Sequence, residues 1–339
     1  MGVRLQCSLC LMSNGVLGSL LMPSLLLAGC VQWSIAMPNT NILASGMFEA
    51  GHGVSLHYDV SGNCDGQRRL LLLHGFGAST EDWSDVRGQL EEGACVVALD
   101  LKGHGQSSRP KDGDYSLDTQ AELLLRFLSE RCPGDTVLVG HSYGGAVALL
   151  ATVKAKERGE ALPVSALVLV DVPAYPQAAP MFLRVLYMPV LRNLVSLVPA
   201  HVAVKYSLKK SFYDRKKLTH QIIDRYVAGM KTSGSHYAFG LAAKQIFPVD
   251  LEGYLIGLRK ITLPVLILWG ANDRIVRPEV ATRLNRDIAG SSLSVIQNCG
   301  HVPQEEKPSE FLAALKPFLK TVPYSPNGRV GRGEQEGSR

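Results

Sequence analysis

The chain has 339 residues, 46% hydrophobic and 19% charged, enough apolar material for one large globular domain with an insertion, or for two domains. Its formal charge of +5 is modest, and no aromatic-rich basic stripe accompanies it, which excludes a nucleic-acid reading.

The first thirty residues stand apart from the rest. Arg4 is the only charge before Glu49, and an apolar stretch over residues 15–27 ends in Leu27-Ala28-Gly29-Cys30. A positive start followed by an apolar run reads as an export signal. Pro23 and the short length argue against a full spanning helix. The end of the run resembles the lipobox of bacterial lipoproteins. That resemblance implies a signal peptide over residues 1–29, lipidation of Cys30 and a membrane-anchored protein of the bacterial cell envelope. Cleavage after Ser34-Ile35-Ala36, an uncleaved anchor, and a cytoplasmic protein with a misassigned start are the alternatives.

Residues 30–46 are small and polar and read as a tether. Residues 47–62 hold two strand-like pieces around Gly51-His52-Gly53, a hairpin signal. A continuous apolar strand over residues 69–73 runs into His74-Gly75-Phe76-Gly77, and residues 80–92 repeat at helical spacing. Another apolar strand, residues 95–100, leads into Leu101-Lys102-Gly103-His104-Gly105-Gln106-Ser107. An amphipathic helix over residues 117–131 is stopped by Pro133-Gly134. Strands follow at 136–139, 165–170, 264–269 and 292–297, with helices from Pro278 and over 308–320. Strands that are apolar throughout and alternate with helices predict a mostly parallel sheet covered on both faces. Residues 323–339 are rich in Gly, Arg, Glu and Ser and read as a disordered tail.

The alternation fails over residues 173–260. About 85 residues between two core strands is too long for a loop, so this segment reads as an inserted helical lid. Its first part is apolar nearly all round, and a basic cluster follows: Lys205, Lys209, Lys210, Arg215, Lys216 and Lys217. One reading makes it the cover of a substrate cavity. The other is ordinary packing on the core with a solvated outer face. The α/β core is accordingly expected over residues 47–172 and 261–322.

The chemistry is carried by Gly140-His141-Ser142-Tyr143-Gly144. It is a G-x-S-x-G between an apolar strand and a helix-like run, the setting of a nucleophile elbow. A serine nucleophile needs a base, and the base needs an acid to orient it. In an open parallel sheet such groups converge at the carboxyl ends of strands. Downstream of Ser142, Asp273 and His301 both follow strand ends, in the order expected for this architecture. Asp171 also follows a strand and is the rival acid. A helix cap is the alternative role of Asp273. His74 and His104 read as structural loop histidines and His141 as a flank of the elbow.

Taken together these segments resemble the α/β-hydrolase fold family, in its lid-bearing esterase, C–C hydrolase and haloperoxidase-like group. His74-Gly75-Phe76-Gly77 is similar to the family's oxyanion loop, and Asp100 to Ser107 to its D-x-x-G-x-G-x-S loop. Gly140 to Gly145 is similar to its elbow, and Gly270 to Asp273 to its acid loop. Gly300-His301, with Glu306 and Pro308, is similar to its histidine loop. The resemblance implies an α/β fold. It also implies Ser142 as nucleophile, His301 as general base and acid, Asp273 as orienting carboxylate, and the backbone N–H groups of Phe76 and Tyr143 as oxyanion hole. It points to ester hydrolysis through an acyl-enzyme on a small-molecule substrate of apolar acyl character. C–C hydrolysis of diketones, aminopeptidase, perhydrolase and acyltransferase chemistry use the same triad. A catalytically silent, membrane-tethered binding protein is the reading from another class. No cofactor is expected, since no metal, flavin or nucleotide motif is visible.

Outside the leader the cysteines are Cys64, Cys95, Cys132 and Cys299. Lacking C-x-x-C spacing, they are not expected to bind zinc. Cys95 at the start of one strand and Cys132 just before the next belong at the sheet edge opposite the site, which makes them candidates for a disulfide if the Cα atoms come within about 7 Å.

Overall fold

The computed structural model describes residues 44–132, 134–177, 180–188 and 198–324. The leader, Cys30, most of the tether and the tail from residue 325 lie outside these. No helix among the described residues is long and apolar enough to cross a membrane.

Eight strands form one sheet in the order β1-β2-β4-β3-β5-β6-β7-β8. β1 (Gly46–Gly51) and β2 (Val54–Ser61) are an antiparallel hairpin, and β2 also runs antiparallel to β4. From β4 (Cys95–Leu99) through β3 (Arg69–Leu73), β5 (Thr136–His141), β6 (Val164–Val170), β7 (Val265–Gly270) and β8 (Ser292–Ile296) every pairing is parallel. Alternate residues of a strand face opposite sides of a sheet, and here both sides are core. Leu71, Leu73, Val97, Leu99 and Leu138 join one apolar cluster, whereas Leu70, Leu72, Val96, Ala98 and Val139 join another. Burial on both faces is why these strands carry no polar alternation.

α2 (Leu117–Arg131) and α3 (Ser142–Glu157) cover the first face. α1 (Ser84–Glu91) and the last helix, α11 (Pro308–Thr321), cover the second. Two further elements, α9 (Pro278–Asp287) and the single turn α10 (Pro303–Glu306), follow β7 and β8.

Between β6 and β7 the described chain is helical: α4 (Met181–Tyr187), α5 (Ala200–Ser211), α6 (His220–Lys231), α7 (Ser235–Lys244) and α8 (Leu251–Leu258). α5 and α6 share an apolar cluster of Val204, Leu208, Phe212, Ile222, Ile223 and Val227, which Val302 of the histidine loop completes. Glu306 anchors this insertion to the core. Its carboxylate accepts the N–H of Gly300 at 2.7 Å, of Tyr213 at 3.1 Å and of Asp214 at 2.6 Å.

One expectation is corrected. Cys95 is bridged to Cys64, with a Cα separation of 4.5 Å, and Cys132 is a buried free thiol. Arg69 of β3 pairs with Cys95 on one side and with Thr136 on the other. A whole strand therefore separates Cys95 from the segment that Cys132 leads into, about 9–10 Å at two interstrand spacings. β2, by contrast, lies directly beside β4. Its last residue, Ser61, pairs with Val96, which carries Cys64 over Cys95.

Candidate active site

β5 ends at His141, and α3 begins at Ser142 with the serine at φ +47°. This is a strained conformation for a side-chain-bearing residue, and it requires close backbone packing around the turn. A Cβ on Gly140 would lie 2.5 Å from the Gly145 Cα, and one on Gly144 would lie 2.6 Å from the His74 carbonyl oxygen. Only glycine fits at either position.

The turn presents the Ser142 Oγ to His301. His301 Nε2 lies 2.9 Å from Oγ, and its Nδ1 lies 2.7 Å from Asp273 Oδ2. The second Asp273 oxygen accepts the N–H of Ile275 at 2.7 Å and of Val276 at 3.1 Å. Asp273 thus caps the local turn with one oxygen and orients the imidazole with the other. All three side chains are buried. The ligand atoms of Asp171, Asp273 and His301 lie within 4.8 Å of one another, a grouping that could hold a cation. Both His301 nitrogens are committed, however, one to Ser142 and one to Asp273.

Asp171, the rival acid, stands behind this chain and does not touch His301 in its place. Its Oδ1 accepts the Gly270 N–H at 3.0 Å, while no N–H is directed at Oδ2. Burial, and then the charge of Asp273, push the Asp171 carboxyl well above the ordinary carboxylate range. The raised pKa favours the neutral form of Asp171, which lessens the repulsion between two buried carboxyls.

The loop after β3, His74-Gly75-Phe76-Gly77, passes against the elbow. A Cβ on Gly75 would come within 3.5 Å of the Ser142 Cβ. The backbone N–H groups of Phe76 and Tyr143 have no acceptor among the described residues. The Tyr143 ring points into the core, edge-on to Phe76 at 5.9 Å. Two loop histidines have structural surroundings. His74 gives Nδ1–H to the Gly75 carbonyl at 2.7 Å and accepts the Leu101 N–H at Nε2 at 3.1 Å, and burial lowers its pKa. His104 stacks near Phe239 at 4.9 Å, and burial lowers its pKa further. In the loop that follows β4, Asp100 accepts the N–H groups of Thr80 and Gln106.

Sequence reasoning missed Asp82 and the full part of His141. His141 contacts Asp82 through Nδ1 at 2.8 Å and the His301 carbonyl through Nε2 at 2.8 Å. Both partners only accept, so both ring nitrogens carry protons and the ring is a buried cation. Burial opposes that charge, but Asp82 outweighs it and the His141 pKa is raised. Asp82 also accepts from the Gly75 N–H, from Gln304 Nε2 and from the Tyr226 hydroxyl. One carboxylate therefore ties together the oxyanion loop, the elbow, the histidine loop and the inserted helix α6. In the sequence Asp82 sits in an unremarkable amphipathic stretch, and nothing there marks it.

Ser142 and His301 open into a cavity of about 420 Å³. Its walls are mostly apolar, with Phe76 and Val302 from the core and Leu183, Leu208, Met230 and Phe239 from the insertion.

A parallel sheet with a strained serine elbow, a histidine after the last strand and an apolar cavity under inserted helices defines a hydrolase of the α/β class. The chain belongs to the α/β hydrolase fold family, whose model matches residues 68–308. It is 27% identical over 269 residues to the uncharacterized hydrolase YugF of Bacillus subtilis, covering 79% of this chain and 95% of that one. It is 26% identical over 284 residues to a 2-hydroxy-6-oxononadienedioate/2-hydroxy-6-oxononatrienedioate hydrolase of Klebsiella pneumoniae, covering 80% and 93%. Among solved structures it is similar to a bacterial membrane phospholipase A, with a TM-score of 0.66 and 27% identity over 83% of this chain and 86% of that one.

Proposed function

We propose that the protein hydrolyses carboxylic esters through an acyl-enzyme on Ser142. The observation that carries this reading is the unbroken line from Ser142 Oγ through His301 to Asp273, at 2.9 and 2.7 Å. In the first step Oγ attacks the ester carbonyl and its proton passes to His301 Nε2. Asp273 steadies the imidazolium that forms, and the Phe76 and Tyr143 N–H groups receive the developing oxyanion. His301 then protonates the leaving alcohol. A water deprotonated by the same nitrogen releases the acid and restores Ser142. Each oxyanion donor is worth about 3–4 kcal/mol in comparable sites.

The runner-up is C–C bond hydrolysis of diketones, the chemistry of the Klebsiella relative. Substrates of that named kind carry two carboxylates and call for a cationic partner. No Lys or Arg lines the cavity among the described residues, and its apolar walls favour an acyl chain. A fluorophosphonate probe tests for an active serine and excludes a silent binding protein. A panel of acyl esters and diketone acids then tests the bond cleaved. Preference for a diketone dicarboxylate over a medium-chain ester would overturn the ester reading.

For localisation we propose export and anchoring through lipid on Cys30. The Leu27-Ala28-Gly29-Cys30 pattern supports it, and so does the Cys64–Cys95 bridge, which persists in an oxidising compartment. Incorporation of labelled palmitate that Cys30→Ser abolishes is the expected result. An unlipidated protein starting at Met1 in the cytosolic fraction would refute it.

A further inference from the structure

We infer that the mouth of the cavity is a docking face for an anionic lipid bilayer, from which the substrate ester enters directly. For what is cleaved, this rests on the hydrolase reading above; for the docking itself it does not. The face is carried by α5, which is apolar on two sides. Val204 and Leu208 are buried against α6. On the opposite side Val202 and Tyr206, one turn apart, are each 56% exposed. Met181 at 64% and Val198 at 39% are exposed as well. All four side chains also line the cavity that reaches Ser142. Single exposed apolar residues are ordinary on a protein surface, but a connected apolar rim around a cavity mouth marks a contact surface.

The charges around the rim say what it contacts. At about 100° per residue, Lys205 and Lys209 flank the Val202–Tyr206 strip on one side of α5 and Lys210 flanks it on the other. The Lys210 ammonium lies 5.7 Å from the Tyr206 ring centroid. Arg215, Lys216 and Lys217 follow in the next turn. Residues 198–217 contain six Lys and Arg against one acid, Asp214. None of the six forms an ion pair among the described residues. The Asp214 side chain is turned to the Lys216 backbone N–H as a cap, at 3.0 Å. A surface with apolar matter beneath and anionic headgroups above satisfies both parts of this pattern at once. In that pose the open mouth faces the acyl chains.

The test compares the full-length protein with a triple charge reversal, Lys209→Glu, Lys210→Glu and Lys216→Glu. Whatever the segment before residue 44 contributes is the same in both. These lysines are exposed and do not line the cavity, so turnover of a soluble short-chain ester and the melting temperature are expected to stay unchanged. Partitioning onto phosphatidylcholine vesicles is measured with and without about 30% phosphatidylglycerol. Each basic residue near an anionic surface contributes roughly a factor of five, so the wild type should gain at least about tenfold from the anionic lipid. The variant should lose that gain, as should the wild type in 0.5 M NaCl. Hydrolysis of a vesicle-borne lipid ester should follow the partitioning. Equal partitioning of the two proteins overturns the inference, and so does a reversal that only dissociates a dimer in solution. If neither protein cleaves any soluble ester while the partitioning difference stands, the hydrolase reading has failed and the docking face has not.

Discussion

The His141 imidazole is held between Asp82 and the main-chain carbonyl of His301, at 2.8 Å from each. The residue before Ser142 is thereby hydrogen-bonded to the backbone of the loop that carries His301. Breaking a buried pair from one side is costly, about 3–5 kcal/mol, because the other charge is left uncompensated. Asp82→Asn should therefore destabilise the protein by roughly that amount and also lower turnover, since Asp82 steadies Gly75 and Gln304 together.

That destabilisation should depend on pH. An unfolded histidine titrates near 6.5, and His141 in the fold is raised above this. Its contribution is complete below pH 6.5 and fades as the pH climbs through the raised value. Asp82 is held below its usual 3.8, despite burial, by the His141 cation. Its share is present above 3.8 and is lost as the pH falls through the depressed value. Urea denaturation at pH 6 and at pH 9 should show the gap between wild type and Asp82→Asn narrowing at pH 9. A constant gap would mean that the His141 charge is not what Asp82 holds.

Ser142→Ala removes one hydroxyl from a buried site and should leave the melting temperature close to wild type. Turnover should fall by roughly 10⁴ to 10⁶, the scale for loss of a triad member. Near-normal turnover on any ester would reassign the nucleophile.

Asp273→Asn should cost turnover on a similar scale to other triad losses, because an amide cannot stabilise the imidazolium. Asp171→Asn should cost little, since Asp171 makes no hydrogen bond to His301 and an amide oxygen can still accept the Gly270 N–H. The same change has a stability signature. Asp171 titrates above its unfolded value, so its contribution is favourable at low pH and is lost as the pH rises toward the folded value. Asp171→Asn should therefore raise the melting temperature at pH 8 relative to wild type, and raise it less at pH 4. An inactive Asp171→Asn beside an active Asp273→Asn would exchange their assignments.

Cys64→Ala together with Cys95→Ala opens the bridge, which spans 31 residues of sequence. A loop of that length stabilises by roughly 3–4 kcal/mol through the unfolded state. Chemical denaturation of the double variant should show a loss of that order, with no change in turnover, because the bridge lies at the start of β4, whereas Ser142, Asp273 and His301 follow the strands' other ends.

The fold was legible because its strands are apolar on both faces and alternate with helices, a pattern that admits few architectures. Ser142, Asp273 and His301 could be picked out because each follows a strand end, and the geometry brings them together. Asp82 was not legible. It lies in the short 3₁₀ turn Thr80–Trp83, and its importance arises only where four separate segments meet around it. The cysteine pairing failed for a related reason. The local hairpin could be read for β2, but its long-range place beside β4 could not.

The Glu306 clamp limits how this enzyme can open. Ser211, the last residue of α5, accepts the His301 N–H through its carbonyl at 2.7 Å, and Glu306 holds Tyr213, Asp214 and Gly300 on one carboxylate. The C-terminal end of α5 is thus riveted to the loop that carries His301. A substrate bulky enough to lever that end outward would drag His301 away from Ser142 as it bound. Discrimination against oversized substrates should then appear as slow chemistry on molecules that still bind, a penalty in kcat with little change in KM.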